Sequence, residues 1–172
     1  MALTFVYINS IIVSSGTSAS LDFTSIPNTF DDLCIVSSTR TDKTGVNDII
    51  SLGFNGSTPG LGLRLEGVMV NGSQFVGSDA TVMGGYTTSS GATGSVFSNN
   101  VLYIPNYTNS ANKSWSLSGG LMNNSSSLVT AHGFATGIWS NSAVINRVTL
   151  APYTSGSFVQ YSTAYLYGIK KN

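Results

Sequence analysis

The chain has 172 residues and a formal net charge of zero, and only 8% of its residues are Asp, Glu, Lys or Arg, against about 25% in ordinary soluble proteins. That balance excludes a basic stripe for nucleic acid and a polybasic patch for anionic membrane, and the pair Lys170-Lys171 is too short to act as either. Hydrophobic residues make up 41%, which excludes a disordered chain, so surface polarity has to come from Ser, Thr and Asn.

No segment sustains apolar residues at i, i+3, i+4 and i+7, and Val, Ile, Thr, Tyr and Phe dominate the apolar runs. Strands joined by turns follow from that pattern. The first is predicted over Leu3–Val13 and the second over Ser18–Phe23, after the turn around Gly16. Pro27, within Ile26-Pro27-Asn28, interrupts the ladder because proline donates no hydrogen bond. Leu33–Thr39 is the next strand, and Asp42–Asn47, which holds Gly45, is a turn by composition. In Asp48–Phe54 the side chains of Ile50, Leu52 and Phe54 share one face, and Asn55-Gly56 is a tight-turn signal.

Residues 56–95 are rich in glycine; short strands are predicted near Gly62–Val70 and Ala80–Met83, with loops over Gly84-Gly85 and Thr87–Gly94. Regular structure resumes at Val96–Tyr107, Ser114–Met122, Leu128–Trp139, Ala143–Leu150 and Phe158–Ile169. About eight to ten strands without a dividing linker predict one domain over residues 1–172. The expected fold is all-β, a two-sheet antiparallel β-sandwich of jelly-roll type.

The last predicted strand is apolar on both faces. Val159, Tyr161, Thr163, Tyr165, Tyr167 and Ile169 line one, and Phe158, Gln160, Ser162, Ala164, Leu166 and Gly168 the other. A strand of this kind is covered on both sides. Tyr161, Tyr165 and Tyr167 are therefore candidate subunit-interface residues.

Chemistry-bearing constellations are few. His132 is the sole histidine, and it lies in a strand-like run without a Gly-x-Ser-x-Gly elbow nearby, so it reads as incidental rather than as a catalytic base. Cys34 is the sole cysteine and sits between Leu33 and Ile35, which predicts a buried thiol. One His and one Cys do not make a zinc site, and Asp42, Asn47 and Asp48 lack calcium-loop spacing. Glu66 is the sole glutamate, and Asp31-Asp32 would point to opposite sides of a strand, so no carboxylate pair for glycoside hydrolysis stands out. Gly60-Leu61-Gly62 lacks the third glycine and the helix of a phosphate loop. Trp115, Trp139, Tyr103, Tyr107 and Tyr153 could stack on sugars, and read more simply as core or interface anchors. Six Asn-x-Ser/Thr sequons, at Asn55, Asn71, Asn106, Asn112, Asn123 and Asn124, reflect the abundance of Ser and Thr. The N-terminus has no charged start of a secretion signal, and no run approaches the about 20 apolar residues of a membrane span.

Five stretches stand in a distinctive order: Phe23–Leu33, Phe54-Asn55-Gly56, Tyr103–Tyr107 followed by Lys113-Ser114, Asn123-Asn124 with Gly137–Ser140 and Ala143–Ile145, and Phe158–Ile169. In these the chain resembles a family of small structural proteins encoded by tailed bacteriophages, notably phages of cyanobacteria and other aquatic hosts. The likeness spans most of the chain and is weakest over residues 57–95. Ser57 and Met122 stand where the family often carries acids.

The resemblance implies a virion protein and not an enzyme. Specifically it implies a capsid decoration (cement) protein that binds the outer head shell, with a tail-associated receptor- or glycan-binding module as the alternative. It implies a homotrimer whose partners are itself and the major capsid or another virion protein, with no direct contact to nucleic acid or membrane. It implies no catalytic residue, no metal and no cofactor. The implied location is the exterior of a capsid, after synthesis in the host cytoplasm.

Overall fold

The computed structural model describes residues 3–57, 64–69, 74–77, 83–123, 131–153 and 155–171. Asn71, Asn124, the Gly60–Gly62 motif and most of the strand predicted over Ala80–Met83 lie outside the described residues. Fourteen strands and no helix are present among them: β1 Leu3–Ile12, β2 Thr17–Ser18, β3 Leu21–Phe23, β4 Asp32–Thr39, β5 Asn47–Phe54, β6 Arg64–Met69, β7 Gln74–Gly77, β8 Met83–Thr88, β9 Ser98–Ile104, β10 Lys113–Leu121, β11 Ala131–Trp139, β12 Val148–Pro152, β13 Phe158–Val159 and β14 Thr163–Lys171.

The large sheet has the order β1-β14-β4-β9-β10-β11-β6-β7 and the small sheet β3-β12-β5-β8, while β2 and β13 form a separate two-stranded ribbon. All of these pairings are antiparallel. Take β1, β3, β4, β5, β8, β9, β12 and β14 as eight strands in chain order. The first, eighth, third and sixth are neighbours in the large sheet, and the second, seventh, fourth and fifth make up the small one. This is the jelly-roll arrangement. Of the six additional strands, β2 and β13 are the separate ribbon and the other four are two insertions: β6 and β7 between β5 and β8, and β10 and β11 between β9 and β12. Both insertions add to one edge of the large sheet and raise the strand count above the expected eight to ten.

Alternation places the core between the sheets. In β5 the side chains of Ile50, Leu52 and Phe54 are buried, as the sequence period requires. They meet Leu21 and Phe23 of β3, Leu150 of β12, and Leu102, Leu117 and Trp139 of the large sheet in one cluster. Phe54 and Trp139 pack edge to face at 5.8 Å. Farther along the sandwich the filling turns polar, and the buried hydroxyls of Thr39, Thr87 and Ser98 bond one another at 2.9–3.2 Å.

Three local departures from the sequence reading have physical causes. Gly84 and Gly85 lie in β8 rather than in a loop. Gly85 has φ +112° and a Cβ there would collide with the Asn100 side chain, so the glycine serves close approach. The strand expected from Ala143 starts at Val148, because Ile145, Asn146 and Arg147 instead bond the Tyr107 carbonyl and the Asn55 side chain. The run Phe158–Ile169 is broken: Ser162 N bonds the Val159 carbonyl and Tyr161 adopts φ +73°, so β13 pairs with β2 while β14 pairs with β1 and β4. The Asn55-Gly56 signal is realised as a two-residue turn with φ of 51° and 78°, closed by mutual Phe54–Ser57 backbone bonds.

Candidate functional site

The outer face of the large sheet is built by register. One row runs Tyr165, Val36, Val101, Ser118, Phe134 across β14, β4, β9, β10 and β11. The next row runs Tyr7, Tyr167, Cys34, Tyr103, Ser116, Thr136 from β1 to β11. Phe5 and Tyr7 both pack edge-on against Tyr167, at 6.4 and 6.2 Å. A bulge between Tyr7 and Asn9 keeps Ser10 and Ile12 in the same outward parity.

Eleven large hydrophobic side chains are exposed among the described residues, and seven of them belong to this face: Phe5, Tyr7, Ile12, Val36, Val101, Phe134 and Ile138. Phe5 is 56% exposed, Phe134 55%, Val101 43% and Val36 40%. Scattered single hydrophobics are ordinary, whereas here seven of them, interleaved with Ser and Thr, share one face of one sheet.

From β1 to β11 the face carries almost no charge, and beyond β11 the two rows continue by register onto Glu66 and Arg64 of β6. In β1, β14, β4, β9, β10 and β11 the described outward positions hold no Asp, Glu, Lys or Arg except Asp32 and Lys171. Those two pair with each other at 3.0 Å at one rim. Asp32 also accepts from the Tyr103 hydroxyl at 2.6 Å and from the Asn106 amide at 2.9 Å. Burial pushes its carboxyl up, but the three donors outweigh burial and hold it below the usual carboxylate range. Burial, with Asp32 beside it, pushes the Tyr103 phenol up to about 12.

The residues singled out from the sequence scatter. Tyr165 and Tyr167 are half-buried on the outer face of β14, whereas Tyr161 sits on the turn before it, 69% exposed and off the sheet. His132 is exposed on β11, edge-on to Phe134 at 4.7 Å. Cys34 is buried, and burial pushes its thiol up. Asp48 is bound by Lys43 at 2.8 Å and by the Ile49 amide, and Asp42 accepts from Ser157 N. Among the described residues no group of three or more His, Cys, Asp or Glu side chains is placed to hold a metal ion. Of the aromatic candidates for sugar stacking, Trp115, Trp139 and Tyr107 are core residues and Tyr153 is exposed.

A shallow depression of about 350 Å³ lies elsewhere, on the small sheet, with Ser51, Gly53, Ser57, Arg147 and Thr149 in its lining. Arg147 is already paired there with Asp22, at 2.9 Å through Nε and 2.5 Å through Nη2.

Sequence reasoning found the β14 tyrosines and missed the rest of the face. The missed signal is in β11, where Gly133, Ala135 and Gly137 point inward and Phe134 and Ile138 outward. At Gly137 the Trp115 ring fills the inward space: a Cβ there would come within 2.5 Å of it.

Comparison with protein-family models gives no match, and comparison with curated proteins and with solved structures gives no significant match.

Proposed function

We propose that the chain is a structural component of a bacteriophage particle, a capsid decoration protein that acts by association and makes or breaks no bond. The observation that carries this reading is the broad, uncharged apolar face on a sandwich whose core is already filled. Such a face gains free energy by leaving water, at about 25 cal/mol per Å² of apolar area. The virion assignment draws on the resemblance of the ordered segments. Those segments meet in space as structural parts: the Tyr107 hydroxyl donates to the Pro27 carbonyl, Ile145 N to the Tyr107 carbonyl, and Asn55 Nδ2 to the Val144 carbonyl. Buried contact between copies and the shell, repeated by symmetry, would oppose rupture of the head under packed DNA.

The test is binding to purified phage heads that lack the protein. Saturable co-sedimentation and a higher head-rupture temperature are expected. Absence of binding to heads, with the labelled protein on tails, would reject the decoration role.

The mixed polar and apolar depression beside Arg147, Thr149 and Leu52 favours a second reading, a tail-associated module that binds glycan. A glycan array would decide it: binding abolished by Thr149→Trp supports it, and an array without hits rejects it.

A further inference from the structure

We infer that two copies of this chain pack face to face through the outer surface of the large sheet, about a two-fold axis running parallel to the strands between β4 and β9. The inference rests on the association reading above for its premise that this face is covered, and not for the particle involved. It assigns two-fold order where the resemblance implies three-fold.

The relief of the face selects this axis. Within the eight-stranded sheet, the six strands β1-β14-β4-β9-β10-β11 that carry the exposed apolar side chains have their midline between β4 and β9, where Val36 and Val101 are paired, and β6 and β7 lie beyond β11 outside the contact. A two-fold axis along that midline lays β4 over β9 of the second copy, β14 over β10 and β1 over β11. Tyr165 and Ser118 stand in one row at equal steps from the midline, so each tyrosine meets the serine of the other copy. Tyr167 and Ser116 match in the same way, as do Tyr7 and Thr136. Phe134 lies in the row of Tyr165, whose β1 partner is Ser10, and these two match as well. Four times a large ring meets a small side chain. Sheets packed about 10 Å apart need that interdigitation to reach interior density. An axis perpendicular to the strands would instead lay β14 on β14 and β10 on β10, with rings against rings and serines against serines.

Charge and area point to the same occupant. A charged partner surface would lose hydration here with nothing to offset it, whereas a second copy brings an equally uncharged face. Five strand spacings of about 4.8 Å and about seven residues at about 3.3 Å give a face of about 24 by 23 Å, or about 550 Å² in projection. A pleated surface exceeds its projection, which brings the face to the order of the about 800 Å² per partner that a stable dimer buries.

Sedimentation velocity and native mass measurement on the full chain test the inference. A dimer is expected. Val36→Asp sets two carboxylates beside the axis and is expected to weaken it about 100-fold. Tyr165→Ser and Ser118→Tyr are each expected to weaken it about tenfold or more, by a void or by a clash. The double variant Tyr165→Ser/Ser118→Tyr exchanges large and small across the axis and is expected to return to near the parent affinity. Circular dichroism checks that each variant folds, and Val101→Asp replaces Val36→Asp if that one does not. On the unaltered chain, concentration-dependent protection of Tyr165 and Phe134 from hydroxyl-radical oxidation is expected.

A monomer at about 100 μM, a trimer, or a dimer indifferent to the aspartate and swap variants would overturn the inference. Head binding is measured separately. A dimer that ignores heads rejects only the particle reading, and a monomer that binds heads rejects only the dimer.

Discussion

Asp32 shows how a chain this poor in charge uses its few ions. Its carboxylate is buried and held by Tyr103, Asn106 and Lys171. Its folded pKa lies below the unfolded value of about 3.9. The stability it contributes is therefore fully present above about pH 4, and is lost as pH falls through the depressed folded value. A urea midpoint measured against pH should drop on that acid limb, and Asp32→Asn should flatten the drop. Tyr103 has the opposite sense. Its folded pKa is raised to about 12, so its contribution is complete below about pH 10 and lost as pH rises toward 12. A spectrophotometric titration should show one tyrosine ionising that late. Arg40 is another costly ion: it is buried and donates to the carbonyls of Ser90, Ala92, Thr93 and Val96 at 2.9–3.3 Å. Arg40→Met removes those donors at once. Loss of about 3 kcal/mol or more is expected from the stranded acceptors, read as a lowered urea midpoint.

Among the elements, β11 is the most informative. Gly133, Ala135 and Gly137 are small on its inward face ahead of the core residue Trp139, and the Trp115 indole occupies the space at Gly137, while Phe134 and Ile138 face out. Gly137→Ala should destabilise by about 1–3 kcal/mol through overpacking against Trp115, with fluorescence of the indole reporting the shift. Gly94→Ala, where a Cβ meets nothing within 4 Å, should change stability far less. The other instructive element is the broken final strand. A β-period count carries straight through Gln160-Tyr161-Ser162, because alternation persists in the letters even where the backbone turns. The turn comes from partners distant in sequence: Tyr161 N bonds the Val13 carbonyl, and the Ser162 hydroxyl donates to the Arg40 carbonyl. Tyr165 and Tyr167 were thus readable as an outward pair, and Tyr161 was not separable from them.

At the scale of the whole molecule, association through the outer face makes stability depend on protein concentration. The melting temperature should rise with concentration in the parent chain, since only the folded state dimerises, and should be independent of it in Val36→Asp. Strand content, antiparallel pairing and the two-sheet sandwich class were legible in the sequence. Turn residues, β-branched runs and period-two alternation act between near neighbours, and the buried Ile50, Leu52 and Phe54 follow directly from them. Cys34 is buried as expected from its apolar run, but Leu33 and Ile35 face the core on the opposite side and Cys34 lies in the outward row between Tyr167 and Tyr103, which the sequence did not show. The sheet order, the insertion strands at one edge of the large sheet, and the rows that join Tyr165 to Phe134 across five strands were not legible. Each depends on which strand lies beside which, and on a ring such as Trp115 claiming space that the residue opposite must then vacate. Alternation says that a strand has two faces; packing against the other sheet chooses which of them is left to meet a partner.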